Sequence, residues 1–208
     1  MRILELFAGT RSIGKAFEKH GHEVTSIDID PKFTDCITAD AYQYLEEHGE
    51  EGWDVIWASP CCTTYSVAGI RLHRLKAENG RYTAPYDEYA KECDLNNTKM
   101  FDWFNKHRNI LWFIENPRGN MQHMDFSKCV EDLKTQLCYC QYGFPTMKPT
   151  NIWTTHKNPK WKPMCHPGAD HHPKDKCAFE NMMHGAKRSV IPNELCEHIV
   201  KICEEADE

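Results

Sequence analysis

Asp54-Val-Ile-Trp-Ala-Ser-Pro-Cys-Cys-Thr-Thr-Tyr-Ser66 decides how the chain is read. Val55 to Ala58 is a short unbroken apolar run, the pattern of a strand buried on both faces. Pro60 ends it, because proline cannot donate to a sheet ladder. Cys61 and Cys62 follow at once, at the strand's carboxyl end. Ligands of open α/β sheets gather along that edge. A thiol on such a turn is placed to attack a group held in the crevice. Cysteine is also among the most buried residue types, so a Cys-Cys pair alone is equally well read as core. The neighbouring stretches decide between the two.

Upstream, the apolar run Arg2 to Phe7 leads into Ala8-Gly9-Thr10-Arg11-Ser12-Ile13-Gly14, after which Ile13, Ala16 and Phe17 recur at helical spacing. This reads as strand, tight turn, helix, with Gly9 allowing close approach of a ligand and the helix start offering unpaired N–H groups. Glu23 to Ile27 is a second strand ending at Asp28-Ile29-Asp30-Pro31. A carboxylate there can accept from ribose hydroxyls, or simply cap the turn. Asp40 could accept from an adenine amino group, or be the N-cap of a helix from Tyr42 to His48.

Downstream, residues 67–86 read as a long polar loop, and a helix is expected from about Tyr86 to Lys106. Ile110 to Ile114 is another buried strand, followed by Glu115-Asn116-Pro117-Arg118-Gly119. A glutamate at that edge can exchange a proton with a ring nitrogen. Strands follow at Lys134 to Tyr142 and Lys148 to Thr154, and an amphipathic helix from Pro192 to Cys203 carries Leu195, Ile199 and Ile202 on one face.

With 208 residues, 40% of them hydrophobic and 27% charged, the chain is expected to fold as a globular α/β domain. No apolar run reaches the ~20 residues of a membrane span, and the opening lacks a basic-then-apolar signal. The expectation is a cytoplasmic protein of a bacterial or phage-infected cell, with no membrane partner. The eleven cysteines then read as reduced thiols rather than a disulfide framework. Net charge is −6, unevenly placed: residues 67–86 carry +3 and 156–188 carry +4. Two basic segments on an acidic body fit a local phosphate-contacting surface.

In their order and spacing these stretches resemble the cytosine-C5 DNA methyltransferases, short phage-type members included, from Leu4 to about Ile199. The resemblance rests on Leu6-Phe-Ala-Gly9, Asp28, Asp40, Ser59 to Ser66, Glu115-Asn116, Tyr142-Gly-Phe-Pro145 with Lys148, and Arg188 to Pro192. It implies a Rossmann-like S-adenosylmethionine-dependent fold, with a mostly parallel sheet and helices on both faces. It implies a catalytic set of Cys62, Glu115, Asn116 and Lys148. Family spacing favours Cys62 over Cys61 as the nucleophile. Cofactor contacts would come from Phe7, Ala8, Gly9, Thr10, Asp28, Ile29, Asp40, Ala41 and Pro60. Double-stranded DNA, the expected partner, would meet Ser66, Arg71, Arg74, Arg81, Arg118, Lys160 and Lys162. A tRNA-type RNA substrate, or a non-catalytic binding module on the same fold, are the alternatives.

The chain departs from the family in several places. Thr10-Arg11 follows Gly9 where glycines are common, so Arg11 must turn away from the cofactor. Thr63 and Pro117 replace usual residues, and Lys148 alone remains of a basic motif. The organisation expected is a catalytic core at 1–155, a small insert at 156–186 in place of a target-recognition domain, and a returning segment at 187–208. Sequence selectivity is then expected to be low, or to be carried by loop 67–86, by a partner subunit or by self-association. The insert holds Cys165, His166, His171, His172 and Cys177, with Cys138 and Cys140 upstream. These are zinc-ligand types at a spacing that matches no standard finger, so isolated thiols and exposed histidines are favoured over a zinc site.

Overall fold

Apolar runs of four to six residues, punctuated by Gly, Pro and Asp turns, produce an alternation of strand and helix along the first half of the chain. The computed structural model describes residues 1–172 and 190–207. Strands β1 (Arg2–Leu6), β2 (Glu23–Asp28), β3 (Ile37–Thr38) and β4 (Val55–Ala58) alternate with helices α1 (Ser12–Lys19) and α2 (Ala41–His48). A short helix α3 (Ile70–His73) and the two-residue strands β5 (Arg74–Leu75) and β6 (Ala84–Pro85) come next. Helix α4 (Glu88–Lys106) leads to β7 (Leu111–Pro117), followed by 3-10 turns between Met121 and Leu133. Then come β8 (Lys134–Cys138), a 3-10 turn Tyr139–Tyr142, β9 (Pro149–Thr154) and helix α5 (Asn193–Asp207).

The principal sheet has the order β3-β2-β1-β4-β7-β9-β8. Neighbours from β3 to β7 run parallel, and β9 runs antiparallel to both β7 and β8. Side-chain alternation along each strand divides the core in two. Leu4, Leu6, Ile56, Ala58, Trp112 and Ile114 face α2, α4 and the 3-10 turns. Ile3, Val55, Trp57 and Phe113 face α1 and α5. The result is the expected Rossmann-like sheet with helices on both faces. Strand order reverses between β1 and β4, so the crevice where ligands gather opens beside the Ser59–Cys62 turn.

Three local expectations are corrected. Strand β7 does not stop at Ile114: Glu115, Asn116 and Pro117 pair with Ile152, Asn151 and Thr150 of β9. The antiparallel neighbour supplies hydrogen bonds that an apolar-run reading cannot anticipate. The strand expected over Lys134 to Tyr142 ends at Cys138 and closes in a 3-10 turn. Residues 67–86 are not a plain loop, because α3 and the β5–β6 ribbon are pinned to the core through Arg74, as described below. Among the described residues no helix is long and apolar enough to cross a membrane.

Candidate functional site: a thiol, a carboxyl and a lysine at the sheet's carboxyl edge

Because β4 and β7 are parallel neighbours, the residues leaving one strand meet those at the end of the other. The amide of Asn116 donates to the Pro60 carbonyl at 3.0 Å, tying β7 directly to the cysteine turn. Its own side-chain oxygen is buried with no hydrogen-bond partner among the described residues. Cys62 opens a tight turn, its carbonyl accepting from the N–H groups of Tyr65 (3.0 Å) and Ser66 (2.8 Å). Gly119 holds β7's trailing loop against that turn. A Cβ there would lie 2.5 Å from the Tyr65 carbonyl oxygen, the atom that accepts from the Asn120 N–H at 2.7 Å.

Cys62 is half-buried and Glu115 is buried, 7% exposed. Burial pushes the Cys62 thiol upward, the Glu115 carboxyl adds to that, and the Lys148 ammonium works against it. Glu115 is raised too, by burial, with Lys148 and a hydrogen bond from Tyr139 opposing. The Tyr139 hydroxyl donates to Glu115 at 2.9 Å, and Lys148 Nζ lies 4.3 Å from the centroid of the Tyr139 ring. The fold thus brings Cys62, Glu115 and Lys148 into one electrostatically coupled group. Cys61 is exposed and turns the other way, its Sγ 3.1 Å from the Tyr89 hydroxyl on α4.

Tyr139 was invisible in the sequence, where it is one more aromatic residue in a strand-like run. The brace under the turn was equally hidden. Arg74 is 1% exposed, donates to the Thr64 carbonyl (2.7 Å) and Thr64 Oγ1 (3.0 Å), and pairs with Asp94 at 2.6 Å. Its guanidinium lies 4.3 Å from the centroid of Tyr65, whose hydroxyl donates to Asp94 at 2.7 Å and accepts from Asn97 at 3.0 Å. Asn97 did leave a signal, as a polar residue on the apolar face of α4. Arg74 is therefore corrected from a phosphate contact to an internal strut of the cysteine turn. Arg74→Met is expected to reduce folding stability by about 3–5 kcal/mol, because Asp94 keeps its charge without its partner. Urea denaturation measures it, and a loss below ~1 kcal/mol contradicts the strut.

The first turn is a further finding. Phe7, Gly9 and Arg11 all take left-handed backbone angles, with φ of 57°, 50° and 58°. Only Gly9 does so without steric cost, and strain of this kind concentrates at binding sites. Arg11 turns away, as expected, onto Ser26 (2.9 Å) and Glu18. One of the N–H groups expected to be unpaired at the start of α1 is taken: the buried Glu5 side chain accepts from the Ile13 N–H (3.2 Å) and from the Ser26 hydroxyl (2.7 Å).

Asp28 accepts from the N–H groups of Gly9 (2.8 Å) and Asp30 (2.9 Å), one on each oxygen, which leaves each oxygen a further lone pair. Asp40 caps α2 through Oδ1, accepting from Tyr42 (2.8 Å) and Gln43 (3.2 Å). Beside these acids Ile29 and Ile37 are 69% and 51% exposed, apolar surface at a crevice edge that a flat ring could cover. Phe7 packs edge-on against Tyr42 at 4.8 Å, Thr10 Oγ1 lies 3.2 Å from Ser12 Oγ, and Ala8 donates its N–H to Ile27. Ala41 is buried in the core and offers only backbone. This donor set fits a nucleoside carrying ribose hydroxyls and a purine.

Arg71, Arg81 and Arg118 are exposed, and Ser66 is half-buried in the turn. Two lysines are corrected. Lys160 lies in a groove with Asp54, Val55 and Leu111, at the strands' amino ends, away from the thiol. Lys162 is committed to Glu194 (2.9 Å) and the Gln141 carbonyl (3.0 Å). Of the insert's ligand types, Cys165, His171 and His172 come together with Cys140 from upstream. His166 is exposed, turned onto the Pro167 carbonyl at 3.2 Å, and Cys177 lies outside the described residues, as do Arg188 and Lys174.

No family model matches the chain. A probable DNA (cytosine-5)-methyltransferase of Frog virus 3 (isolate Goorha) is 26% identical over 161 residues, covering 74% of this chain and 70% of that protein. Among solved structures, a putative DNA modification methyltransferase encoded within an Escherichia coli prophage aligns over 73% of this chain and 45% of its own, with TM-score 0.46 and 13% identity. A Spodoptera frugiperda DNMT2 variant aligns over 79% and 53%, with TM-score 0.45 and 16% identity. The chain spans about half the length of these structures.

Proposed function

We propose that the chain is an S-adenosylmethionine-dependent methyltransferase acting at carbon 5 of a cytosine in nucleic acid. One observation carries the reading: Cys62, Glu115 and Lys148 converge where β4 and β7 end, Glu115 raising the Cys62 thiol and Lys148 acting against the rise of both groups. Carbon 5 of cytosine is a poor nucleophile. Addition of the Cys62 thiolate to carbon 6 gives carbon 5 enamine character, and Glu115, whose hold on a proton burial strengthens, would donate at ring N3 as the negative charge develops there. Lys148 lowers the cost of ionising the thiol in a buried place. Asn116 keeps β7 in register with the cysteine turn through Pro60. After methylation, loss of the carbon-5 proton and elimination of the thiolate restore the ring.

S-adenosylmethionine would supply an electrophilic methyl group on a sulfonium. Asp28 would accept from its ribose hydroxyls, the free oxygen of Asp40 from its adenine amino group, and Ile29 would cover the purine. Gly9 admits the ligand's backbone-close approach, with Phe7, Ala8, Thr10, Ala41 and Pro60 as the surrounding wall.

Sequence put duplex DNA first as the substrate, and the curated relative is described as a probable DNA enzyme. The chain's economy gives more support to the alternative, an unpaired cytosine in structured RNA. Only residues 155–192 separate β9 from α5, little chain with which to grip and distort a duplex. A duplex cytosine must be flipped at a cost of a few kcal/mol, whereas a loop cytosine is already unstacked. Exposed Arg71, Arg81 and Arg118 offer a modest phosphate-contacting surface. The test is transfer of labelled methyl groups to folded tRNA-type hairpins and to mixed-sequence duplex DNA, with product bases identified after hydrolysis. 5-Methylcytosine in the hairpins at ten or more times the duplex level supports the RNA reading. The reverse ratio returns the substrate to DNA. Cofactor binding without transfer to either makes the chain a non-catalytic module.

A further inference from the structure

We propose that Cys140, Cys165, His171 and His172 form a structural zinc site, independent of the methyl-transfer chemistry. One ligand atom from each of the four residues falls within 4.8 Å of all the others. The Cys165 Sγ is 3.2 Å from His172 Nε2 and 3.4 Å from His171 Nε2. Around a tetrahedral zinc, with Zn–S of about 2.3 Å and Zn–N of about 2.0 Å, sulfur and nitrogen stand roughly 3.5 Å apart. A thiol has one proton and cannot donate to two imidazoles at once. Two imidazole nitrogens converging on one sulfur, with a second sulfur close by, is what a shared cation produces. Two thiolates and two imidazoles are borderline-soft ligands, which select zinc over magnesium or calcium. Four protein ligands leave no open position, so the site is closed and structural.

The setting gives the metal a purpose. Cys140 and Cys165 are buried, 6% and 8% exposed, in a satellite cluster apart from both main cores. Its members are Cys138, Cys140 and Cys165, with Met147 and Ala169 against them. Among the described residues, the cluster offers no branched aliphatic or aromatic side chain to hold the segment from Cys165 to His172 by burial. A small segment without its own core needs a staple. Cys140 belongs to the 3-10 turn that also carries Tyr139, the donor to Glu115. The metal therefore anchors the start of the chain's insert to the turn beside the catalytic carboxyl. Cys138, whose Sγ is 3.3 Å from that of Cys140, stands outside the four-ligand group.

The experiment uses the full chain, purified under reducing conditions, and reads metal rather than turnover. Zinc content by mass spectrometry should be one ion per chain. Cobalt substitution of the wild type should give the intense visible bands and sulfur-to-cobalt charge transfer of a tetrahedral two-sulfur, two-nitrogen site. Cys165→Ser and His171→Ala should each weaken zinc binding by more than ~100-fold in competition with a chelating dye, beyond the cost of losing an outer-sphere partner. His166→Ala should bind as the wild type does. An apo protein that takes up no zinc, a cobalt spectrum of octahedral oxygen ligation, or undiminished binding by Cys165→Ser overturns the assignment. The cobalt spectrum needs no substitution, so a variant that fails to fold leaves the proposal exposed to refutation.

Discussion

Cys62→Ala is expected to abolish methyl transfer, lowering kcat by ~10⁴-fold or more, the scale on which enzymes lose activity when a covalent nucleophile is removed. Cys61→Ala is expected to keep kcat within ~10-fold. The two thiols are adjacent in sequence and opposite in circumstance. Cys62 is coupled to Glu115 and Lys148, while Cys61 is exposed and lies against Thr63 and Tyr89. The pH dependence follows from the same geometry. Burial and Glu115 hold the Cys62 thiol above its ordinary range, so little thiolate exists at neutral pH in the free protein. The rate at subsaturating substrate should climb with pH through the alkaline range as the thiol ionises. Single-turnover assays of the wild type and both alanine variants decide the matter. An active Cys62→Ala with an inactive Cys61→Ala would move the nucleophile by one residue and dissolve the coupled group.

The order of events along the chain was legible because it is written in local patterns. Buried strands at Val55 to Ala58 and Ile110 to Ile114 declare themselves as apolar runs, and each is followed at once by polar chemistry. Parallel strands must carry those followers to the same edge. What stayed hidden depends on contacts between distant residues. Tyr139 reaches Glu115 across 24 positions, and Arg74 reaches Asp94 across 20. Neither has a local signature, since a buried arginine and a solvated one look alike in sequence. Charge counting therefore placed Arg74 on the nucleic-acid surface, when burial had made it a strut. Lys160 was misplaced for a related reason. Its run of lysines is real, but the segment after β9 begins at the amino edge of β4 and β7. The insert's cysteines and histidines were visible as ligand types. Their convergence was not, because Cys140 is supplied by a turn on the far side of β9.

Glu115→Gln is expected to slow methyl transfer by ~10²–10⁴-fold, the usual contribution of a positioned proton donor, and at the same time to stabilise the fold. The two effects share one cause. A carboxyl buried at the end of β7 has its folded-state pKa raised above the unfolded value, Lys148 and Tyr139 only partly opposing. Such a group favours the folded state fully below the unfolded pKa. That contribution is lost as pH rises through the folded pKa, because the charged form must then be held away from water. Glutamine keeps the shape, keeps an acceptor for Tyr139 and never ionises. The stability difference between variant and wild type should therefore be small near pH 4 and grow towards pH 8. Its size there should fall within the ~1–4 kcal/mol found when buried charges are replaced by neutral groups. Removal of the Glu115 charge also takes away one of the influences that raise Cys62, so the thiol's ionisation should move to lower pH in the variant. Thermal unfolding across that pH range reads the first effect. The rate of iodoacetamide alkylation at Cys62, measured in a background lacking Cys61, reads the second. A variant less stable than the wild type at pH 8, with an unmoved thiol titration, would mean that Glu115 is held as a structural anion and that the proton donor must be sought elsewhere.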